Sequence, residues 1–368
     1  MMKKSQISLV FTFATVLFLG VVPFESVSQP QPGREDAKTK QQVIASQPGE
    51  GATVTTAYNL PEERFQTEIL NIGLEELGYE TEITGQVQYA SLHQQVANGD
   101  LDYMAVHWEQ LHSEFYNKSG GDQKLERIGI LVDKVLQGYL IDKQTAEEHD
   151  ISSLDDLKNP EIAQLFDTNG NGKADLIGCN SGWGCELVIE HHLDEYGLRD
   201  TVEHKQGEYS ELIGTAITRF EQGEPILYYT WTPLWVSSIL TPEEETIWLE
   251  VPYTSLPTAQ GDVSEVDTSA PTSKLSLERK NLGFAVDEQK VLANEKFISN
   301  NPAAKNFFEL VTIPIDDVSQ QNQWMRPAQE GGKGEDSAEE IRSHAEQWVA
   351  DNREQFDEWL TEAVAASE

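Results

Sequence analysis

The sequence predicts an α/β protein of two lobes with a ligand cleft between them, and three observations carry that expectation. Short, almost continuously apolar runs at residues 101–106, 131–142 and 225–230 alternate with stretches of helical periodicity. Such runs fit strands buried on both faces of a largely parallel sheet. The chain has 368 residues, 38% of them hydrophobic, enough material for two cores. Two apolar segments, near Tyr139 and near Phe284, read as places where the chain crosses from one lobe to the other and back.

Those crossings divide the chain into residues 52–139 and 285–368 as lobe 1 and residues 140–284 as lobe 2. Residues 1–28 read as a secretory signal: Lys3 and Lys4 are the positive start, residues 7–23 the apolar segment, and Ser26, Val27 and Ser28 a small-residue cleavage site. An uncleaved anchor is the alternative, since the apolar segment is barely long enough to span a bilayer. No cysteine follows it, so the usual lipid-anchored form is not expected. Residues 29–51, rich in Gln, Pro, Lys and Gly, read as a flexible tether.

Lobe 1 opens with a β-branched strand at residues 53–58. Asn59 offers an N-cap and Pro61 suits a first helical turn, and Phe65, Ile69, Ile72 and Leu77 continue a helical stripe that Gly78 ends. A strand at 79–83 and a short helix at 91–98, stopped by Gly99, lead to the apolar run 101–106, with Trp108 at its carboxyl end. Ligands in open α/β sheets bind outside those carboxyl ends. His112, four residues on, shares a helical face with Trp108 if a helix begins near Glu109; packing on the lobe surface is the plainer reading of both. In lobe 2, helices are expected near 152–157 and 160–165, then a helix with Leu212, Ile213, Ile217 and Phe220, and a buried strand at 225–230 that delivers Trp231. Trp235 and Trp248 read as core or surface residues. Residues 262–280 read as an exposed excursion, and helices are expected at 302–310, 315–324 and 338–365, the last packing on lobe 1.

Lys and Arg number 26 against 63 Asp and Glu, a net charge of −37. That charge repels nucleic acid and anionic membrane surfaces, so neither is an expected partner. No catalytic constellation emerges: there is no serine elbow and no HExxH, and the adjacent His191 and His192 cannot face one ligand from a helix. His107, on the strand face opposite Trp108, reads as packing. Asp167, Asn169, Asn171 and Asp175 imitate the first half of an EF-hand loop, but no bidentate Glu closes it, which leaves a weak metal candidate against a plain turn. No cofactor is expected.

The most informative stretch is Gly178-Cys179-Asn180-Ser181-Gly182-Trp183-Gly184-Cys185-Glu186, which holds both cysteines of the chain. In an exported protein it reads as a disulfide-stapled loop, Cys179 to Cys185. With a helical run at 186–193 directly behind it, the Gly184 and Cys185 amides fall at a helix N-terminus, where unpaired donors favour an anion. A structural clip with an incidental tryptophan is an equally good reading of the spacing.

This stretch, with the preceding residues 165–176 and Tyr228-Tyr229-Thr230-Trp231-Thr232-Pro233, resembles the glycine betaine/proline betaine-binding proteins of osmoregulatory ABC importers, from about residue 53 to near the C-terminus. The resemblance implies a periplasmic binding protein fold, type II-like, and an exported, periplasmic protein. It implies an aromatic cage of Trp108, Trp183 and Trp231 for a quaternary ammonium group. It also implies a carboxylate held by His112 and by the amides of Gly184 and Cys185. The partners it implies are glycine betaine or proline betaine and an ABC permease with its ATPase subunits, the binding protein itself being a monomer and not an enzyme. From a different class, a secreted calcium-dependent hydrolase that stacks sugar rings on the same aromatic residues is the competing reading.

Overall fold

The computed structural model describes residues 47–261, 264, 266–271, 279–325 and 338–367. The signal segment and residues 29–46 of the expected tether lie outside the described residues, as do residues 262, 263, 265 and 272–278 of the expected excursion. Residues 47–51 form a turn held to the first helix, where the Gly49 N–H donates to the Leu77 carbonyl at 2.9 Å. Among the described residues no helix is long and apolar enough to cross a membrane.

A nine-stranded mixed sheet organises the chain, in the order β2-β1-β3-β11-β4-β7-β5-β6 with β8 beside β4. β1 (Thr53–Tyr58) lies parallel to β2 (Glu80–Gln86) and to β3 (Tyr103–Trp108), whose six residues are all buried. β4 (Leu125–Asp142) is the long strand that both halves of the sheet share. Its residues up to Val135 pair antiparallel with β11 (Asp287–Asn294), and from Leu136 onward it pairs with β7 (Leu227–Thr232). The partner exchange at 135/136 lies a few residues before Tyr139. β5 (Ala174–Ile177), parallel to β6 (Val202–Lys205) and to β7, continues the second half, and β8 (Thr246–Trp248) pairs with the end of β4. The described part of the excursion forms a hairpin of β9 (Ser269–Pro271) and β10 (Arg279–Asn281).

Helices of nine or more residues are numbered here: α1 (Arg64–Glu76), α2 (Tyr89–Asn98), α3 (Gly184–Glu195), α4 (Tyr209–Glu221), α5 (Pro302–Leu310), α6 (Ile315–Trp324), α7 (Ala338–Asp351) and α8 (Arg353–Ala365). α2 stops where Gly99 takes φ 78°, a left-handed conformation that glycine adopts without steric penalty. Buried Ile341, Ala345 and Trp348 of α7 face inward. Arg342 bridges to Glu75 at 2.7 Å and Arg353 to Glu76 at 2.6 Å, tying the C-terminal helices to α1.

Four local expectations are corrected. β3 has the antiparallel β11 on one side, so its all-apolar pattern reports burial and not parallel pairing. The expected helix at 338–365 is two helices, because Asn352 leaves helical geometry (φ −106°, ψ 21°) and its amide donates to the Trp348 carbonyl. Asn59 caps no helix: its side chain donates to the Val87 carbonyl, and a 3-10 turn (Pro61–Glu63) precedes α1. No helix begins at Glu109; residues 109–112 form a turn after β3, and a short helix starts at Ser113.

Candidate functional site

The carboxyl ends of β1, β3, β5 and β7 converge on one cavity. Its walls include Trp108 from the end of β3, Trp183 from the loop after β5 and Trp231 from the end of β7, each less than a tenth exposed. The Trp183 and Trp231 rings meet nearly edge-to-face, with centroids 5.9 Å apart and planes at 75°. Tyr209, at the start of α4, backs Trp231 at 4.8 Å, and its hydroxyl donates to the Tyr229 carbonyl at 3.1 Å. Packing of this kind fixes the rings in place along the cavity wall.

Beside the aromatic walls lies a polar end built from backbone. Cys179 and Cys185 form a disulfide with Cα atoms 6.4 Å apart. The loop they close is fixed from both sides: the Glu186 carboxylate accepts from Gly182 N at 2.6 Å, and the Asn180 side chain accepts from Tyr209 N at 2.9 Å. α3 begins at Gly184, and Trp183, in the N-cap position, offers no side-chain cap. The amides of Gly184 and Cys185 therefore open the helix with no capping oxygen, and both residues line the cavity. Gly184 is required sterically: a Cβ there would sit 2.5 Å from the Leu111 carbonyl oxygen.

His112 completes this end. The Trp108 N–H donates to its Nδ1 at 3.2 Å, so the neutral ring carries its proton on Nε2. Burial holds its pKa well below the usual histidine value, which keeps it neutral. The helical face expected to join Trp108 and His112 does not form; a turn brings the His112 ring to the Trp108 backbone instead.

Sequence reasoning missed other wall residues. The Tyr89 ring packs against His112, with centroids 4.4 Å apart and planes tilted by 47°, and approaches Trp183 at 6.0 Å. It belongs to α2, which starts two residues earlier than the expected 91–98. The Tyr89 hydroxyl donates to Glu63 Oε1 at 2.6 Å. Tyr229 donates to Gln137 Oε1 at 2.7 Å on the shared strand β4. Gln66, Gln289 and Asn322 also reach the wall. The signal available was positional: Tyr229 lies two residues from Trp231 on one strand and so shares its face.

The metal candidates are occupied by their own surroundings. Asp167 Oδ1 accepts from Gly170 N at 2.8 Å and its Oδ2 from Gly172 N at 2.7 Å, while Asp175 accepts from Thr168 N at 2.9 Å and from Asn169 Nδ2 at 3.0 Å and pairs with Lys205 at 2.9 Å. Asn171 Oδ1 accepts from Lys173 N at 2.9 Å. These bonds describe a closed turn. Elsewhere His93, His107 and His112 bring ring nitrogens within 4.8 Å of one another. There His93 bonds the Tyr89 carbonyl at 2.7 Å and His107 at 3.0 Å, and all three rings are fully buried. His191 and His192 both turn to Ser255, through its hydroxyl and its carbonyl. Trp248 is core, and Trp235 is a buried wall of an outer crevice shared with Trp231 and Tyr209.

A family model for the substrate-binding domain of ABC-type glycine betaine transport systems (OpuAC) matches residues 52–351. The glycine betaine-binding periplasmic protein OusX of Dickeya dadantii (strain 3937) is 43% identical over 321 residues, which is 87% of this chain and 92% of that protein. The glycine betaine/proline betaine-binding periplasmic protein of Escherichia coli (strain K12) is 41% identical over 327 residues, 89% of this chain and 94% of that protein. Among solved structures, ProX from Borrelia burgdorferi aligns with a TM-score of 0.60 at 19% identity, covering 85% of this chain and 99% of its own. Lactococcal OpuAC, closed and complexed with glycine betaine, aligns with a TM-score of 0.60 at 17% identity, covering 84% and 99%. At such identities these structures speak to the fold alone, that of two-lobed periplasmic binding proteins. The chain belongs to the family of substrate-binding domains of ABC-type glycine betaine transport systems, a family of transport proteins and not of enzymes.

Proposed function

We propose that this protein binds a betaine, glycine betaine or proline betaine, in the periplasm and delivers it to an ABC permease with its ATPase subunits. The observation that carries the reading is the juxtaposition of two unlike ends in one cavity. Trp108, Trp183 and Trp231 line it together with the uncapped start of α3 and neutral His112. A trimethylammonium group donates no hydrogen bonds, but ring faces attract it by about 0.5–2 kcal/mol each. Three faces contribute roughly 2–6 kcal/mol, against about 8 kcal/mol for a micromolar dissociation constant. Charge-assisted bonds from the Gly184 and Cys185 amides and from His112 Nε2–H to the ligand carboxylate supply the remainder.

In this reading residues 52–139 with 285–368 form one lobe and 140–284 the other, β4 and the segment before β11 being the crossings. Among the described residues the acidic groups on the cavity wall are the chain neighbours Glu62 and Glu63; the competing hydrolase reading is put to the test by sugars. The test is a thermal-shift screen with glycine betaine, proline betaine, choline and a sugar panel, on wild type and His112→Ala. A betaine at 100 times its dissociation constant adds about 2.7 kcal/mol to folding stability. Choline, lacking the carboxylate, is expected to shift wild type less, and His112→Ala to narrow the gap between the two. A shift by sugars with none by betaines overturns the proposal.

A further inference from the structure

Glu63 is a cavity-wall carboxylate that no cation answers. It follows β1 on the 3-10 turn Pro61–Glu63 and is 5% exposed. Among the described residues its hydrogen-bond donors are all neutral. Asn59 N and Leu60 N reach Oε2 at 2.8 and 3.2 Å, and the Tyr89 hydroxyl reaches Oε1 at 2.6 Å. The adjacent Arg64 is committed to Glu68 at 3.0 Å and to the Tyr58 hydroxyl at 3.2 Å. Glu63 and its donor Tyr89 line the same cavity, where the Tyr89 ring lies against His112 and Trp183.

Resting on the betaine reading above, we infer that Glu63 is a specificity-determining residue: its carboxylate selects ligands with a fixed positive charge, and the protein releases a proton from it when such a ligand binds. The physical reason is mutual. A buried carboxylate without a countercharge is disfavoured as an anion, and burial pushes Glu63 up to about 7. A quaternary ammonium group in the cage favours the anion and is favoured by it to the same degree, because coupling between two sites is reciprocal. The proton leaves the carboxyl oxygen for the buffer, no bond to the ligand forms, and Glu63 remains hydrogen-bonded to Tyr89.

The groups that face Glu63 are Glu62 beside it, Tyr89, and the imidazoles of His93 and His112 behind Tyr89. Burial keeps Tyr89 well above its ordinary value, His112 well below, and His93 down at about 4. The charges of those three rings are therefore constant between pH 5 and 8. Affinity for a betaine is present above the pKa of Glu63 and declines as pH falls through it. A ligand-induced drop of one unit makes binding at pH 8 about tenfold tighter than at pH 5.

The experiment is isothermal titration of glycine betaine into the full protein at pH 7, in buffers of different ionisation enthalpy, repeated at pH 5, 8 and 9. It is paired with 3,3-dimethylbutanoate, the uncharged-carbon isostere of the betaine. With the pKa at about 7, release of up to about 0.5 proton per betaine is expected at pH 7 and none at pH 9. Glu63→Gln, whose amide can donate to the Tyr89 oxygen, is expected to abolish the release and to lower the betaine-to-isostere affinity ratio about tenfold. Wild type that binds betaine with no proton release and with equal affinity at pH 5 and 8 overturns the inference and leaves the betaine reading intact. So does a Glu63→Gln protein that melts earlier but keeps the wild-type ratio, since that marks a turn-capping role alone. If wild type binds no betaine, the failure lies with the parent reading.

Discussion

A methyl group placed on Gly184 tests whether the cavity closes as the geometry describes. In Gly184→Ala the new Cβ lies 2.5 Å from the Leu111 carbonyl oxygen and 2.8 Å from Leu111 Cγ. Both are closer than real Cβ contacts come, and the first obstacle is backbone. Leu111 cannot retreat cheaply, because its N–H and that of Gln110 donate to buried Asp287 at 3.0 Å. Overpacking of this kind costs about 1–3 kcal/mol, a 5- to 150-fold loss of affinity at about 1.4 kcal/mol per tenfold. Gly184 opens α3 after β5, whereas Leu111 follows β3, so the clash is between the two halves of the sheet and is avoided if the proposed lobes part. The ligand-free protein should therefore melt close to wild type while betaine binds weakly. Calorimetric titration gives the affinity and a ligand-free thermal scan the stability. Gly184→Ala that binds like wild type, or that loses as much ligand-free stability as binding energy, refutes the reasoning.

Two further outcomes follow from the site. Trp231→Ala is expected to cost more affinity than Trp231→Phe, with Trp108 showing the same order, because Phe keeps a ring face worth about 0.5–2 kcal/mol and Ala does not; fluorescence titration measures both, and equal losses would point away from cation–π attraction. Reducing Cys179–Cys185 opens a small ring whose closure is worth only about 2 kcal/mol of chain entropy, so betaine affinity should fall further than the melting temperature does, and unchanged binding would reassign the bridge to a clip.

The parts of the candidate site that could be read from sequence are those that carry their own local mark. Trp108 and Trp231 each stand at the end of an apolar run, and Trp183 stands between glycines inside the cysteine pair; these marks made them candidates, and the family resemblance joined them into a cage. Glu63 had no such mark. It is one of 63 acidic residues, placed at a helix start where a carboxylate is commonplace, and only the approach of α2 turns it toward a cavity. Tyr89 was lost to a helix boundary misplaced by two residues. Gln137 and Gln289 face the cavity because β4 and β11 lie side by side, a pairing between residues about 150 apart that no local period reports. The antiparallel β11 beside β3 escaped for the same reason, and Asn352 looked like an ordinary surface residue within a helical stripe.

The net charge of −37 lies on a chain whose proposed binding groups are almost all withdrawn from solvent: Trp108, Trp183, Trp231, His112 and Cys185 are each less than a tenth exposed. Dissolved ions act very differently on those two populations. Raising the medium from 0.1 to 1 M salt shrinks the Debye length from about 10 Å to about 3 Å, which quiets the repulsion among surface carboxylates. Groups withdrawn from solvent are screened much less. In the proposed reading, solubility and ligand affinity thus answer to separate variables, the first following ionic strength and the second screened much less.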